Sequence, residues 1–224
     1  TDLSGLVSGV EKYYMNKPKL PFSMLFHGAP GTGKTEFAKH LADTSNKQLL
    51  VKRASDLVSK YVGETEKYIA AAFHEAEEEG AILLLDEADS FFIDRNTAGL
   101  SWEKSQTNEF LTQMENYKGV LICCTNFIES LDRAVLRRFT RKVSFRPPKA
   151  EMLPVIFSSF FPTAGLNDIQ HHKLKTLEGL TPGDFFTVRH SLSLTTETTP
   201  ETTEIIEALE QERRYKKTEK VVGF

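Results

Sequence analysis

The chain has 224 residues, 28 Lys and Arg against 31 Asp and Glu, and a net charge of -3 with a pI near 6.1. That balance gives no global attraction to nucleic acid or to an anionic membrane, and the length supports a substantial core without disulfide staples. The longest purely aliphatic run, Ala81 to Leu85, is far below the roughly 20 residues that span a bilayer. The N-terminus lacks the charged-then-apolar pattern of an export signal, and the adjacent Cys123 and Cys124 sit in an apolar run where they read as reduced core residues. The expectation is a soluble, cytoplasmic protein, and a start at Thr1 reads as a piece excised from a longer one.

In chain order, short apolar runs alternate with segments of helical period, the pattern of strands joined by helical crossovers into a parallel sheet. Strands are predicted at Met24 to His27, Gln48 to Arg53, Ala81 to Asp86, Val120 to Thr125 and Lys142 to Phe145, each apolar enough for burial on both faces. Helices are predicted at Thr35 to Thr44, Thr65 to Glu79 and Trp102 to Tyr117. Pro147 and Pro148 break the alternation, and beyond them only helices are expected, at about Ala150 to Phe160, Asn167 to Leu177, Gly183 to Leu194 and Pro200 to Thr218. The chain thus reads as an α/β domain over residues 1–148, a five-stranded parallel P-loop sheet flanked by helices, followed by a small α-helical domain over 149–224.

Between the first strand and its helix, Gly28-Ala29-Pro30-Gly31-Thr32-Gly33-Lys34-Thr35 fits the phosphate-cradling pattern G-x-x-x-x-G-K-[ST] in the strand–loop–helix context it requires. Glycines let successive N–H groups turn toward phosphate oxygens at a helix N-terminus. Lys34 is placed to neutralise β/γ-phosphate charge and Thr35 to ligate Mg²⁺; Glu36 completes the predicted ATP-binding segment. The apolar strand Ile82 to Leu85 ends in Asp86-Glu87. Charge beside a buried strand calls for a cation partner, so Asp86 is expected to help hold Mg²⁺ and Glu87 to polarise the attacking water. The alternative is an acidic pair favouring a helix dipole. Asn126 follows the next strand and, in a parallel sheet, emerges on the same edge, where its amide can hold the water or the γ-phosphate; the alternative is an Asn that caps a turn.

In this order, with an aromatic loop and an arginine pair, the signals resemble the AAA clade of the AAA+ ATPases, of the kind forming the C-terminal module of bacterial-type or katanin/spastin-like proteins. The resemblance implies a helical lid over ATP and assembly into a ring, usually a hexamer. It also implies that Arg137 and Arg138 are fingers reaching a neighbour's γ-phosphate, with Arg138 and Arg141 as the alternative pair. Ser59-Lys60-Tyr61-Val62-Gly63-Glu64 resembles the family's pore loop. Lys60, Tyr61, Val62 and Gly63 would then grip an extended polypeptide, unless Tyr61 packs over its own helix start. Trp102 and Lys104 fall where relatives carry a second pore loop. Leu180-Thr181-Pro182-Gly183-Asp184-Phe185 resembles the lid segment in which Gly183 approaches adenine or ribose, and Asp2-Leu3-Ser4-Gly5-Leu6 resembles an adenine-contacting segment.

Other chemistries fare worse. His74-Glu75 opens like a zinc-protease signature, but Glu78 stands where its second histidine belongs. The basic run Arg213 to Lys217 reads as a solvated helix face. The leading reading is an ATP-hydrolysing ring that remodels, unfolds or disassembles a protein substrate. The alternatives are a nucleotide-switched motor or loader on nucleic acid, against which the charge argues, and a module that uses ATP only to assemble.

Overall fold

The computed structural model describes residues 3–16, 21–61, 63–92, 101–195 and 199–219, without the side chains of 90, 101–104 and 217–219. By contact the chain divides into two units, Thr1–Gly28 with Lys34–Phe145, and Ala29–Gly33 with Arg146–Phe224.

The first unit carries five parallel strands, β1 (Phe22–Gly28), β2 (Leu49–Arg53), β3 (Ile82–Asp86), β4 (Val120–Thr125) and β5 (Arg141–Phe145), in the order β2-β3-β4-β1-β5. Its helices are α1 (Leu3–Asn16), α2 (Lys34–Thr44), α3 (Ala54–Leu57), α4 (Glu64–Glu79), α5 (Ser101–Asn116) and α6 (Arg133–Leu136). Side chains alternate across the pleat, so each central strand feeds two cores. Ile82, Leu84, Val120, Ile122 and Cys124 pack with Leu6 and Val10 of α1 and Ala38 and Leu41 of α2. Leu83, Leu85, Leu121 and Cys123 pack with Ile69 and Phe73 of α4 and Phe110 and Met114 of α5. Cys123 and Cys124 therefore lie in different cores, both buried and free.

One expectation is corrected. Burial on both faces holds for β3 up to Leu85 and for all of β4. In β2 every residue is at least partly exposed, and in β5 only Val143 is buried. These are the sheet edges, where Lys52, Arg53, Arg141 and Lys142 supply the charge that discourages pairing with another chain. Residues 3–6, which resemble an adenine-contacting segment, open the helix α1; Asp2 lies outside the described residues. The physical reason is the spacing of Leu3, Leu6, Val7, Val10, Tyr13 and Tyr14, which puts an apolar stripe on one helical face.

The second unit has α7 (Leu153–Phe160), α8 (Asp168–Lys175), α9 (Pro182–Thr195) and α10 (Thr202–Glu219) around Leu153, Phe157, Leu174, Phe185, Ile205 and Leu209. The start of α8 is fixed by a reciprocal cap: Gln170 N–H donates to Asn167 Oδ1 at 2.9 Å, and Asn167 N–H to Gln170 Oε1 at 3.1 Å. Among the described residues, no helix is long and apolar enough to cross a membrane.

Candidate active site

Parallel strands present their carboxyl ends at one sheet edge, and three of them deliver candidate residues there. β1 ends at Gly28, β3 at Asp86, and β4 leads directly into Asn126. Gly28 (φ 137°), Gly31 (φ 71°) and Gly33 (φ 95°) occupy conformations that L side chains rarely adopt. A Cβ on Gly28 would fall 1.9 Å from the Phe145 carbonyl oxygen. Ala29 and Pro30 are exposed, and Thr32 Oγ1 donates to Ala29 O at 2.7 Å, which tightens the turn.

Lys34 opens α2 with only 8% of its surface exposed. Its ammonium donates to Gly28 O at 2.8 Å and to Asn126 Oδ1 at 2.7 Å. Burial lowers its pKa below the ordinary lysine value, and the nearby Asp86 and Asp89 act in the opposite direction. Thr35 Oγ1 donates to Asp86 Oδ2 at 3.0 Å, so the two predicted metal-binding groups already face each other. Mg²⁺ typically takes one or two protein oxygens and completes its shell with phosphate and water. A hydroxyl beside one carboxylate fits that habit. No group of three or more His, Cys, Asp or Glu capable of holding a metal occurs among the described residues.

Glu87 is one of two described non-glycine residues with positive φ, at φ 57° and ψ 38°. Its N–H donates to Asp86 Oδ1 at 3.0 Å, its side chain is exposed, and the turn leads into a short 3-10 helix at Ala88–Phe91. A left-handed glutamate is strained, and such strain concentrates at sites of function. Sequence reasoning gave no hint of it. Glu36 pairs with Lys39 one turn along α2, with its side chain 74% exposed.

Ser59 braces the turn before α4. Ser59 Oγ donates to Glu64 Oε2 at 2.6 Å, Ser59 N–H to Thr65 Oγ1 at 2.9 Å, and Tyr61 N–H to Ser59 Oγ at 3.2 Å. Gly63, at φ 83°, makes the turn into α4. Tyr61 is 63% exposed, with Lys60 Nζ 6.0 Å from its ring centroid, and so does not pack over its own helix. Val62 lies outside the described residues, as do the side chains of Trp102 and Lys104.

Arg137 and Arg138 follow α6 and are both exposed. Arg138 forms an ion pair with Glu115 of α5; Arg137 makes none among the described residues. Arg141 begins β5 on the exposed edge.

In the second unit, Gly183 N–H donates to Gly31 O at 2.9 Å. A Cβ on Gly183 would sit 2.7 Å from Gly31 Cα, and one on Gly31 would sit 2.7 Å from Thr181 Oγ1. Asp184, 6% exposed, accepts from Thr181 N–H at 2.6 Å, Thr181 Oγ1 at 3.0 Å and Lys216 Nζ at 2.6 Å. Lys216 is thus a correction to the solvated basic face, because a nearly buried carboxylate draws it in; Arg213 Nε also turns inward, to Glu178 O at 3.1 Å. A charge count along the chain cannot reveal a partner from another helix.

The model of the ATPase family associated with various cellular activities (AAA) matches residues 24–147, more than half of the chain. An ATP-dependent zinc metalloprotease FtsH 2 from Thermoanaerobacter is 37% identical over 150 residues, 63% of this chain and 29% of that protein. Spastin from Xenopus laevis is 34% identical over 167 residues, 71% of this chain and 28% of that protein. This chain therefore spans less than a third of those relatives' length. A crystal structure of the FIGL-1 AAA domain in complex with ADP superimposes with a TM-score of 0.70 at 20% identity, covering 93% of this chain and 82% of that one. The family match over the site-bearing residues and this likeness of fold agree, and the chain belongs to the AAA family of ATPases.

Proposed function

We propose that this chain hydrolyses Mg²⁺-ATP within a ring and uses the cycle to remodel or unfold a protein substrate. The single observation that carries the reading is the convergence of Lys34 with Asn126 at 2.7 Å and of Thr35 with Asp86 at 3.0 Å, at the carboxyl edge of the sheet. Loop N–H groups of Gly31, Thr32 and Gly33 and the start of α2 bind the phosphates. Lys34 balances their charge, and Asn126 orients Lys34 and the γ-phosphate. Thr35 and Asp86 would hold Mg²⁺, which when bound supplies charge neutralisation on the phosphate oxygens. Glu87 accepts the proton of the attacking water. Arg137, unpaired among the described residues, extends to the site of a neighbouring copy, where a guanidinium in trans is worth roughly 10³ to 10⁵ in rate in other systems. Arg138, tied to Glu115, positions it. Residues 149–224 take the lid role that the resemblance implies, and Gly183 reaches the phosphate loop through its N–H to Gly31 O at 2.9 Å.

The exposed Tyr61 on its braced loop favours a polypeptide as substrate, gripped through apolar contacts rather than read by sequence. Similarity to spastin and to a putative 26S proteasome regulatory subunit homolog from Methanocaldococcus jannaschii (33% identity over 149 residues) supports the same class. The test is the mass of the Glu87→Gln protein with and without Mg²⁺-ATP. Nucleotide-dependent assembly supports the ring, and a monomer under every condition contradicts it. Substrate processing should be lost in Tyr61→Ala with ATP turnover largely kept; equal processing by that variant would exclude the pore-loop role.

A further inference from the structure

The carboxylate of Asp184 is nearly buried at the start of α9, and it collects three donors on one oxygen: Thr181 N–H, Thr181 Oγ1 and Lys216 Nζ. Lys216 also donates to Thr181 Oγ1 at 3.2 Å. The same Thr181 hydroxyl lies where any side chain on Gly31 would have to go, and Gly183, between the two, donates its N–H to Gly31 O at 2.9 Å. The last long helix of the chain is thereby connected, through an ion pair and two short steps, to the backbone of the phosphate loop. The Asp184 side chain is 8% exposed and that of Lys216 40% exposed, so removing the ammonium would leave a nearly buried carboxylate without its cation, which is costly.

We propose that Lys216 is a positioning residue for nucleotide binding. Through Asp184 it fixes the Thr181–Gly183 turn, and that turn fixes the carbonyl of Gly31 and so the direction in which the N–H groups of Gly31, Thr32 and Gly33 point. The proposal rests on the reading of that loop as the ATP phosphate cradle. Its consequence is that α10 controls affinity for nucleotide without touching it: losing the ion pair loosens the loop and weakens both ADP and ATP, while the groups that perform hydrolysis stay in place. KM therefore rises and kcat does not fall with it.

The test is titration of the chain with a fluorescent ADP analogue, alongside steady-state ATP turnover and thermal unfolding. Lys216→Met is expected to weaken the analogue about tenfold, in line with a charge-assisted hydrogen bond, and to raise KM by a similar factor at nearly constant kcat. Lys216→Arg, which keeps the charge and donors, should restore affinity to within about threefold. Gly183→Ala provides a second route that leaves the ion pair intact. Its Cβ pushes against Gly31 Cα, so it should weaken binding in the same way. A Lys216→Met protein that melts earlier but binds and turns over nucleotide like the parent overturns the proposal and leaves Lys216 a purely structural residue. Lys34→Ala separates the two levels of the argument: if it too leaves affinity unchanged, the phosphate-cradle reading fails, whereas loss of binding in Lys34→Ala with none in Lys216→Met and Gly183→Ala removes only the positioning role.

Discussion

Glu87 sits at φ 57° and ψ 38°, where an L residue brings its Cβ against the following carbonyl. That conformation costs about 1–2 kcal/mol for a residue with a side chain. Glycine would escape the cost but would gain about 0.4–1 kcal/mol of freedom in the unfolded chain. Glu87→Gly should thus be more stable than Glu87→Ala by about 0.5–1 kcal/mol, or about 1–4 °C in melting temperature for a chain of this size. Alanine is the reference because it removes the carboxylate while keeping the Cβ. Both variants should lose turnover by about 10² to 10⁴-fold, the usual contribution of a general base. The assay is thermal unfolding of the nucleotide-free variants at one pH, paired with phosphate release. If Glu87→Ala proves as stable as Glu87→Gly, the strain is not real and the argument built on the left-handed turn is wrong.

Gly28→Ala, whose Cβ would overlap the Phe145 carbonyl at a φ of 137°, should destabilise the chain by about 2–4 kcal/mol, read from the urea midpoint. Burial pushes the thiols of Cys123 and Cys124 above their ordinary value of 9.0. Because the folded value is the higher one, their stabilisation is complete below pH 9 and is lost as pH rises beyond it, at a limiting slope of about 1.4 kcal/mol per pH unit per thiol. The double variant Cys123→Ala/Cys124→Ala should flatten alkaline unfolding accordingly; an unchanged slope would assign the loss to other groups, such as the partly buried Tyr14 and the buried Tyr117. Arg137→Ala and Glu87→Gln should each be nearly inactive alone, yet an equimolar mixture should recover part of the turnover, since a Glu87→Gln subunit still offers Arg137 to a neighbour's intact site. A mixture no more active than its parts would place Arg137 outside the reaction.

Much of the site was legible because local chemistry fixes it. The loop from Gly28 to Thr35 needs glycines at its turns, and β4 falls at Val120–Thr125 as read, because six consecutive buried positions demand an apolar run. The stripe of α1 was equally present in the sequence, at Leu3, Leu6, Val7 and Val10, but no helix was expected there. The edges β2 and β5 were over-read, since apolar content alone does not say which strands end a sheet; Lys52, Arg53, Arg141 and Lys142 carried that information. Two features were beyond local reading. Glutamate has no preference for the left-handed region, so the turn at Glu87 is imposed by what surrounds it. The Asp184–Lys216 pair joins residues 32 positions apart, and only packing of α9 against α10 brings it about.

The central claim is that Glu87 activates water against a nucleotide held by Lys34, Thr35 and Asp86. Single-turnover hydrolysis of radiolabelled ATP by the parent and by Glu87→Gln, each first shown to bind Mg²⁺-ATP with the same affinity, tests it most directly. The account predicts equal binding and a cleavage step at least about 100-fold slower in Glu87→Gln; cleavage at the parental rate would contradict it.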